Sequence, residues 1–224
     1  MALSFALAAS ASLSAGDIAS FVNLGFSGDS SYFMFGQYGV SDGNGASYAE
    51  VYTVDNARNA FVPGTTLKAS NSLSLDVGQD GSGTFFNLLE ESARKASSCQ
   101  IDHQRQGRLL YVLMNGEEPK SELCFRDFKA GTEYKLMLDQ KVLRVDGSVS
   151  SSFGLSVSQK KADGSVKMIE AGSPNVRRPG VSGYVIRRAL LSPDERYLVV
   201  VIEKKEAAKD AVSVRYMVET LRLK

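Results

Sequence analysis

The chain has no tryptophan, a single histidine, two cysteines and five prolines among its 224 residues. Each scarcity excludes something. Without Trp the broadest sugar-stacking surface is missing, and only nine Tyr remain to supply one. With His103 alone, any Ser-His-acid triad must use it, because a general base near neutral pH is most often His. It sits in the polar stretch Asp102-His103-Gln104-Arg105-Gln106-Gly107, which reads as a solvated loop. No GxSxG elbow precedes a helix, and no CxxC pairs with histidines to make a zinc site. Charge of either sign is also lacking in excess. The 26 basic and 25 acidic side chains leave +1, which argues against nucleic acid, since that binding needs clustered Lys and Arg. The same balance gives no pull toward anionic lipid.

Met1 to Ala15 carry no charge at all and are almost entirely Ala, Ser, Leu and Phe. This is the pattern of a secretory h-region followed by small residues, with cleavage expected after Ala15 and Ala11 as the other site. The basic residue that normally precedes the h-region is missing, so an N-terminal element packed on the domain is the alternative. The run is shorter than the ~20 apolar residues of a spanning helix, so no stable membrane span is expected after processing. Export to the periplasm or beyond is the expectation. In that compartment the even pair Cys99 and Cys124 is a disulfide candidate, worth roughly 3 kcal/mol, with two unbonded thiols as the alternative.

What is present is β-strand signal and one repeated phrase. Phe26-Ser27-Gly28-Asp29-Ser30-Ser31-Tyr32-Phe33-Met34-Phe35 is echoed by Leu191-Ser192-Pro193-Asp194-Glu195-Arg196-Tyr197-Leu198-Val199-Val200. Each reads as strand, Ser-x-Asp turn and aromatic-led strand. The expected architecture is mainly β: residues 16–224 form one β-rich domain, with 1–15 as a signal peptide. Two β-propeller-blade-like units occupy 19–62 and 184–224, flanking a helix at 84–98 and a central antiparallel region at 108–172. Two such units cannot close a propeller, so the expectation is that they join in one sheet system, with the Ser-x-Asp turns at the same end. Thr84 is the expected N-cap of the helix, and Phe85, Leu88, Leu89, Ser92, Ala93 and Ala96 its apolar stripe. Residues 63–83 read as a surface loop. Leu198–Ile202 is a continuous apolar run, as expected of a strand covered on both faces. Neighbouring Arg187 and Arg188 are expected on opposite faces of theirs.

The segments Phe21-Val22-Asn23-Leu24-Gly25-Phe26-Ser27, Phe35-Gly36-Gln37-Tyr38-Gly39 and Tyr48-Ala49-Glu50-Val51-Tyr52 resemble a family of predicted secreted bacterial proteins of unknown function. Ser192-Pro193-Asp194, Tyr197-Leu198-Val199-Val200 and Val214-Arg215-Tyr216-Met217-Val218 look like its C-terminal end. The Ser-Pro-Asp phrase is also similar to the TolB-like propeller repeat. The resemblance implies export and no established activity.

Candidate binding residues are few. Alternation places Tyr48 and Tyr52 on one face of a strand, where they form either an aromatic platform or hydrophobic packing. Arg177 and Arg178, with Arg187 and Arg188, either meet an anionic group or form a solvated face. Asp42, Asn44 and Glu50, or Asp76 and Asp80, offer oxygen ligands for Ca²⁺, although turn formation explains them more simply. The expected function is therefore an exported, non-enzymatic binding or interaction protein of the cell envelope, without a cofactor. Its partner surface is expected on the loops Asp42 to Ser47 and Glu203 to Asp210. The alternative is a module that binds glycan or cell-wall material, and the second alternative is a hydrolase whose acidic residues meet only in three dimensions.

Overall fold

Alternating apolar and polar residues dominate the chain, and the computed structural model turns them into antiparallel strands. Residues 17–42, 44–75, 79–207 and 211–224 are described. The expected leader, 1–15, lies outside the described residues, as do Gly43 and 208–210 of the two hairpin loops. In chain order the elements are β1 (Ser20–Ser27), β2 (Tyr32–Val40), β3 (Ala46–Asp55), β4 (Ala60–Phe61), β5 (Leu67–Ser74) and α1 (Ser82–Ser98). Then follow β6 (Ile101–Asp102), β7 (Arg108–Val112), β8 (Glu122–Asp127), β9 (Thr132–Val145), β10 (Ser148–Lys160) and β11 (Val166–Gly172). The last are β12 (Arg178–Pro179), β13 (Val181–Leu191), β14 (Tyr197–Ala207) and β15 (Val212–Arg222).

These strands make three sheets, none of them closed. The first runs β4-β3-β2-β1-β6, with β5 also on β3; the central one runs β11-β10-β9-β8, with β12 on β10; the C-terminal one runs β15-β14-β13-β7. Their faces stack in an order unlike the chain order. Phe85, Leu88 and Ala96 of α1 cover Met34, Ala49 and Val51 on one face of the first sheet. Phe26, Phe33 and Phe35 on its other face pack on Leu190, Val199 and Val201 of the C-terminal sheet. The opposite face of that sheet, with Ile186, Leu198, Val200 and Ile202, packs on Leu136, Leu138, Phe153 and Leu155 of the central sheet. The Leu198–Ile202 run therefore serves two cores at once, as expected of a strand covered on both sides.

The two repeated turns are near copies of each other. Ser27 Oγ donates to Asp29 Oδ1 at 2.7 Å, the Ser31 amide to the same oxygen at 3.0 Å, and the Tyr32 amide to Ser27 Oγ at 2.9 Å. Ser192, Asp194, Arg196 and Tyr197 repeat those bonds at 2.7, 3.0 and 3.0 Å. Ser30 and Glu195, at matching positions, share φ values of 59° and 60°. The turns lie side by side, since Arg196 Nη2 donates to the Asp29 carbonyl. The units nevertheless sit in separate, stacked sheets. They do not join in one sheet system: each has its own hydrogen-bond ladder, and apart from side chains they meet through the short backbone bridge Ile18–Val214 at the start of the first unit.

Three local expectations are corrected. α1 begins at Ser82 after Gly81, without a side-chain cap, and Thr84 Oγ1 instead bonds Ser47 Oγ at 2.6 Å. Ala93 of the expected stripe is exposed. Residues 67–74, read as loop, are strand β5 on the edge of the first sheet.

Candidate functional site

The C-terminal sheet ends in β15, whose outer edge would be open to an added strand. Residues of the first sheet and the N-terminal segment close it. The Tyr216 amide donates to Gln37 Oε1 at 2.7 Å, the Thr220 amide to Asn59 Oδ1 at 2.7 Å, and the Val214 amide to the Asp17 carbonyl at 2.7 Å. Over this closed edge runs a groove of about 390 Å³, bounded by the first sheet on one side and by β14, β15 and Arg178 of β12 on the other. Its volume falls in the range of small-molecule sites.

Glu50 organises the first-sheet wall. It accepts hydrogen bonds from Gln37 Nε2 at 2.6 Å, Tyr52 Oη at 2.7 Å and Lys68 Nζ at 2.6 Å. The β2–β3 register makes this possible, because Gln37 lies directly opposite Glu50. Burial pushes the Glu50 carboxyl up, but the bonds from Lys68, Tyr52 and Gln37 outweigh it and hold the group below the usual carboxylate range. Burial and the bond to Glu50 hold the Tyr52 phenol well above its ordinary value. The Tyr52 ring stacks on Phe61 at 5.1 Å, and Phe61 is 50% exposed at the groove mouth.

Cations crowd the opposite wall. Lys204 pairs with Glu206 at 2.7 Å. Arg215 forms a two-pronged pair with Asp17 and lies over the Tyr48 ring at 4.1 Å. Burial lowers the Arg215 guanidinium, but its hydrogen bonds to the Asp17 carboxylate and nearby negative charge raise it above its ordinary value. Arg178 lies over the rings of Phe153 at 5.3 Å and Tyr184 at 5.9 Å, and its Nη1 is buried without a hydrogen-bond partner.

The structure thus brings Tyr52 and Arg178, from sequence positions far apart, into one groove, with Tyr48 joined through Arg215. Arg177 is exposed and stands outside it. Cys99 and Cys124 are both free: Cys99 is buried at the end of α1, Cys124 exposed on β8 in another sheet, so the expected disulfide is not formed. Of the two expected partner loops, the described residues 42, 44–47 and 203–207 lie on the β2–β3 and β14–β15 hairpins, opposite the Ser-x-Asp turns, and Glu206 reaches the groove. Arg187 and Arg188 do not diverge. A bulge between Ile186 and Arg188 turns both to the face toward the first sheet: Arg187 pairs with Glu203 of neighbouring β14 at 3.4 Å, and Arg188 lies over Phe21 of β1 at 5.4 Å. His103 is exposed, with Nδ1 bonded to the Leu24 carbonyl at 2.7 Å. Of the oxygen ligands considered for Ca²⁺, Asn44 and Asp80 accept amides in turns, Glu50 is held in the groove, and Asp76 lies outside the described residues.

Sequence reasoning missed Gln37, Phe61, Lys68 and Arg215, whereas Lys204 and Glu206 fall within the expected partner loop that starts at Glu203. A signal existed for the first: a polar Gln inside the apolar run Phe33–Val40, facing a Glu in an equally apolar strand.

Three stacked antiparallel sheets with a charged groove at a sheet edge define a β-rich protein of a layered, open kind. The chain belongs to the family described as predicted secreted protein (DUF2259), whose model matches residues 34–222. That description carries secretion, in agreement with the expected export, and no activity. No curated protein and no solved structure gives a significant match. No helix among the described residues is long and apolar enough to cross a membrane.

Proposed function

We propose that this secreted protein is a non-catalytic binding module of the cell envelope, and that its partner engages the groove along β15. The observation that carries the reading is the groove itself. It has a half-exposed aromatic, Phe61, at its mouth, buried charges behind, and an edge strand already closed to β-augmentation. A binding role is supported over catalysis by the state of its acids. Glu50 has three donors and is held ionised, so it is not poised to hand over a proton near neutral pH, and Glu206 is paired with Lys204. The blade-like kinship of the first and C-terminal sheets belongs to this proposal as well, supported by their matching turns. The groove also favours a second reading, a glycan ligand, through the stacked Tyr52–Phe61 pair.

Tagged protein exposed to envelope extract from its own compartment tests the reading. Wild type is expected to enrich one species that Phe61→Arg loses at least tenfold and that Asp163→Ala, altered in a distant hairpin, retains. Equal capture by all three forms contradicts the groove as the binding site.

A further inference from the structure

Every cation lining the groove has a carboxylate except one. Lys68 has Glu50, Lys204 has Glu206 and Arg215 has Asp17. The Arg178 guanidinium makes no ion pair and no hydrogen bond with any described residue; its partners are the faces of Phe153 and Tyr184. A buried guanidinium nitrogen without an acceptor is uncommon in folded proteins, because desolvating a charged donor without replacing its water is expensive. Stacking on two rings fixes the plane of the guanidinium; Nη1 is covered, and Nε and Nη2, which are not fully buried, leave one edge of the fork to bond something else.

From this geometry we infer that the groove is a receptor for a carboxylate-bearing small ligand, whose carboxylate pairs with the Arg178 guanidinium while its body lies against Tyr52 and Phe61. The inference deepens the binding reading above and rests on it. Charge selects the class. The groove has one surplus positive charge, which a monoanion neutralises. A phosphate dianion would leave negative charge unmatched beside Glu50 and Glu206. Shape agrees, since the planar fork of Arg matches a carboxylate in two parallel hydrogen bonds. The volume of about 390 Å³ suits a single ring or a short chain end and is too small for a folded partner to enter. A uronic-acid sugar and the free carboxyl end of a short peptide share this chemistry.

Calorimetric titration separates the sources and tests the class. The probes are glucuronate against glucose, acetyl-dialanine against its amide, and inorganic phosphate. At least one carboxylate is expected to bind tenfold or more tightly than its neutral counterpart and more tightly than phosphate. Arg178→Gln should remove that preference, and Arg178→Lys should keep part of it, as a point charge without the fork. Glucuronate binding alone assigns an acidic sugar; acetyl-dialanine binding alone assigns a peptide end. Equal binding of acid and neutral probe, preference for phosphate, or no binding of any probe overturns the inference. So does undiminished acid binding by folded Arg178→Gln. If that variant does not fold, the paired probes on wild type still decide. Envelope capture that depends on Phe61 while every acid fails to bind overturns this inference alone. Loss of both removes the binding module with it.

Discussion

At the scale of single residues, Glu50 is the most consequential side chain in the groove. Its carboxyl is lower in the folded chain than in the unfolded one, so its contribution to stability is complete above the unfolded value of about 4.3. That contribution fades as pH falls through the folded value. Glu50→Gln keeps the shape but leaves Lys68 without its counter-ion, and should destabilise by about 1–2 kcal/mol at pH 7. Urea melts across pH should show the gap between wild type and variant closing toward pH 3; a constant gap would mean that the charge of Glu50 is not what matters. The cysteines make a second residue-scale prediction. A thiol reagent should modify exposed Cys124 quickly in the native protein, and buried Cys99 only on unfolding. Reductant should leave the melting temperature unchanged, and a drop would reveal a bond that the fold does not show.

At the scale of elements, α1 is held by one aromatic side chain fitted to a glycine. A Cβ added at Gly36 would clash with Phe85 Cε2, so the absent side chain in β2 makes room for the Phe85 ring. Phe85 also stacks on Tyr38 at 5.2 Å. Gly36→Ala should cost about 1–3 kcal/mol by overpacking, and Phe85→Ala about 3–5 kcal/mol by leaving a cavity. Because the two share one space, the double variant should cost clearly less than the sum, by at least 0.5 kcal/mol on the scale of contacting pairs. Strict additivity in chemical denaturation would rule out the fit. Elements were also what the sequence showed best. Strands β2 and β14 and the stripe of α1 are legible because burial on one or both faces imposes a period. β5 was not, since the alternation of Leu67 and Ala69 with Lys68 and Ser70 lasts only four residues and is lost at Asn71, where the pairing with β3 shifts. The bulge that turns Arg187 and Arg188 to one side was equally hidden, because a one-residue slip in pairing leaves no mark in composition.

At the scale of the whole molecule, three sheets are clamped together at the end that carries the Ser-x-Asp turns. Arg108 of β7 holds Asp127, at the end of β8 in the central sheet, with a second contact at 2.9 Å, and also reaches Glu195 at 2.9 Å. Lys129 reaches Glu195 at 3.3 Å, and Arg196 ties the first sheet through the Asp29 carbonyl. The Asp127 side chain is 1% exposed, so Arg108→Leu would leave a buried carboxylate without its cation and should cost about 3 kcal/mol. The Arg108 bond holds Asp127 below the usual carboxylate range, so that penalty should shrink as pH falls below about 4. Thermal melts of the variant at pH 7 and pH 3 check both statements, and equal losses at the two pH values would contradict them. The stacking order itself, helix, first, C-terminal and central sheet, could not be read from the chain. Nothing in the repeated phrase tells whether two matching units share a sheet or pack face to face. The groove was invisible for the same reason: Tyr52 and Arg178 were candidates, but only the stacking places them on opposite walls.

The most direct test of the groove as the binding site is photo-crosslinking in the native compartment from a reactive side chain at position 61, compared with one at position 163. The account predicts a defined adduct from position 61, absent at 163, and weakened when Arg178 is replaced by Gln. Adducts from 163 but none from 61 would place the partner outside the groove and contradict it.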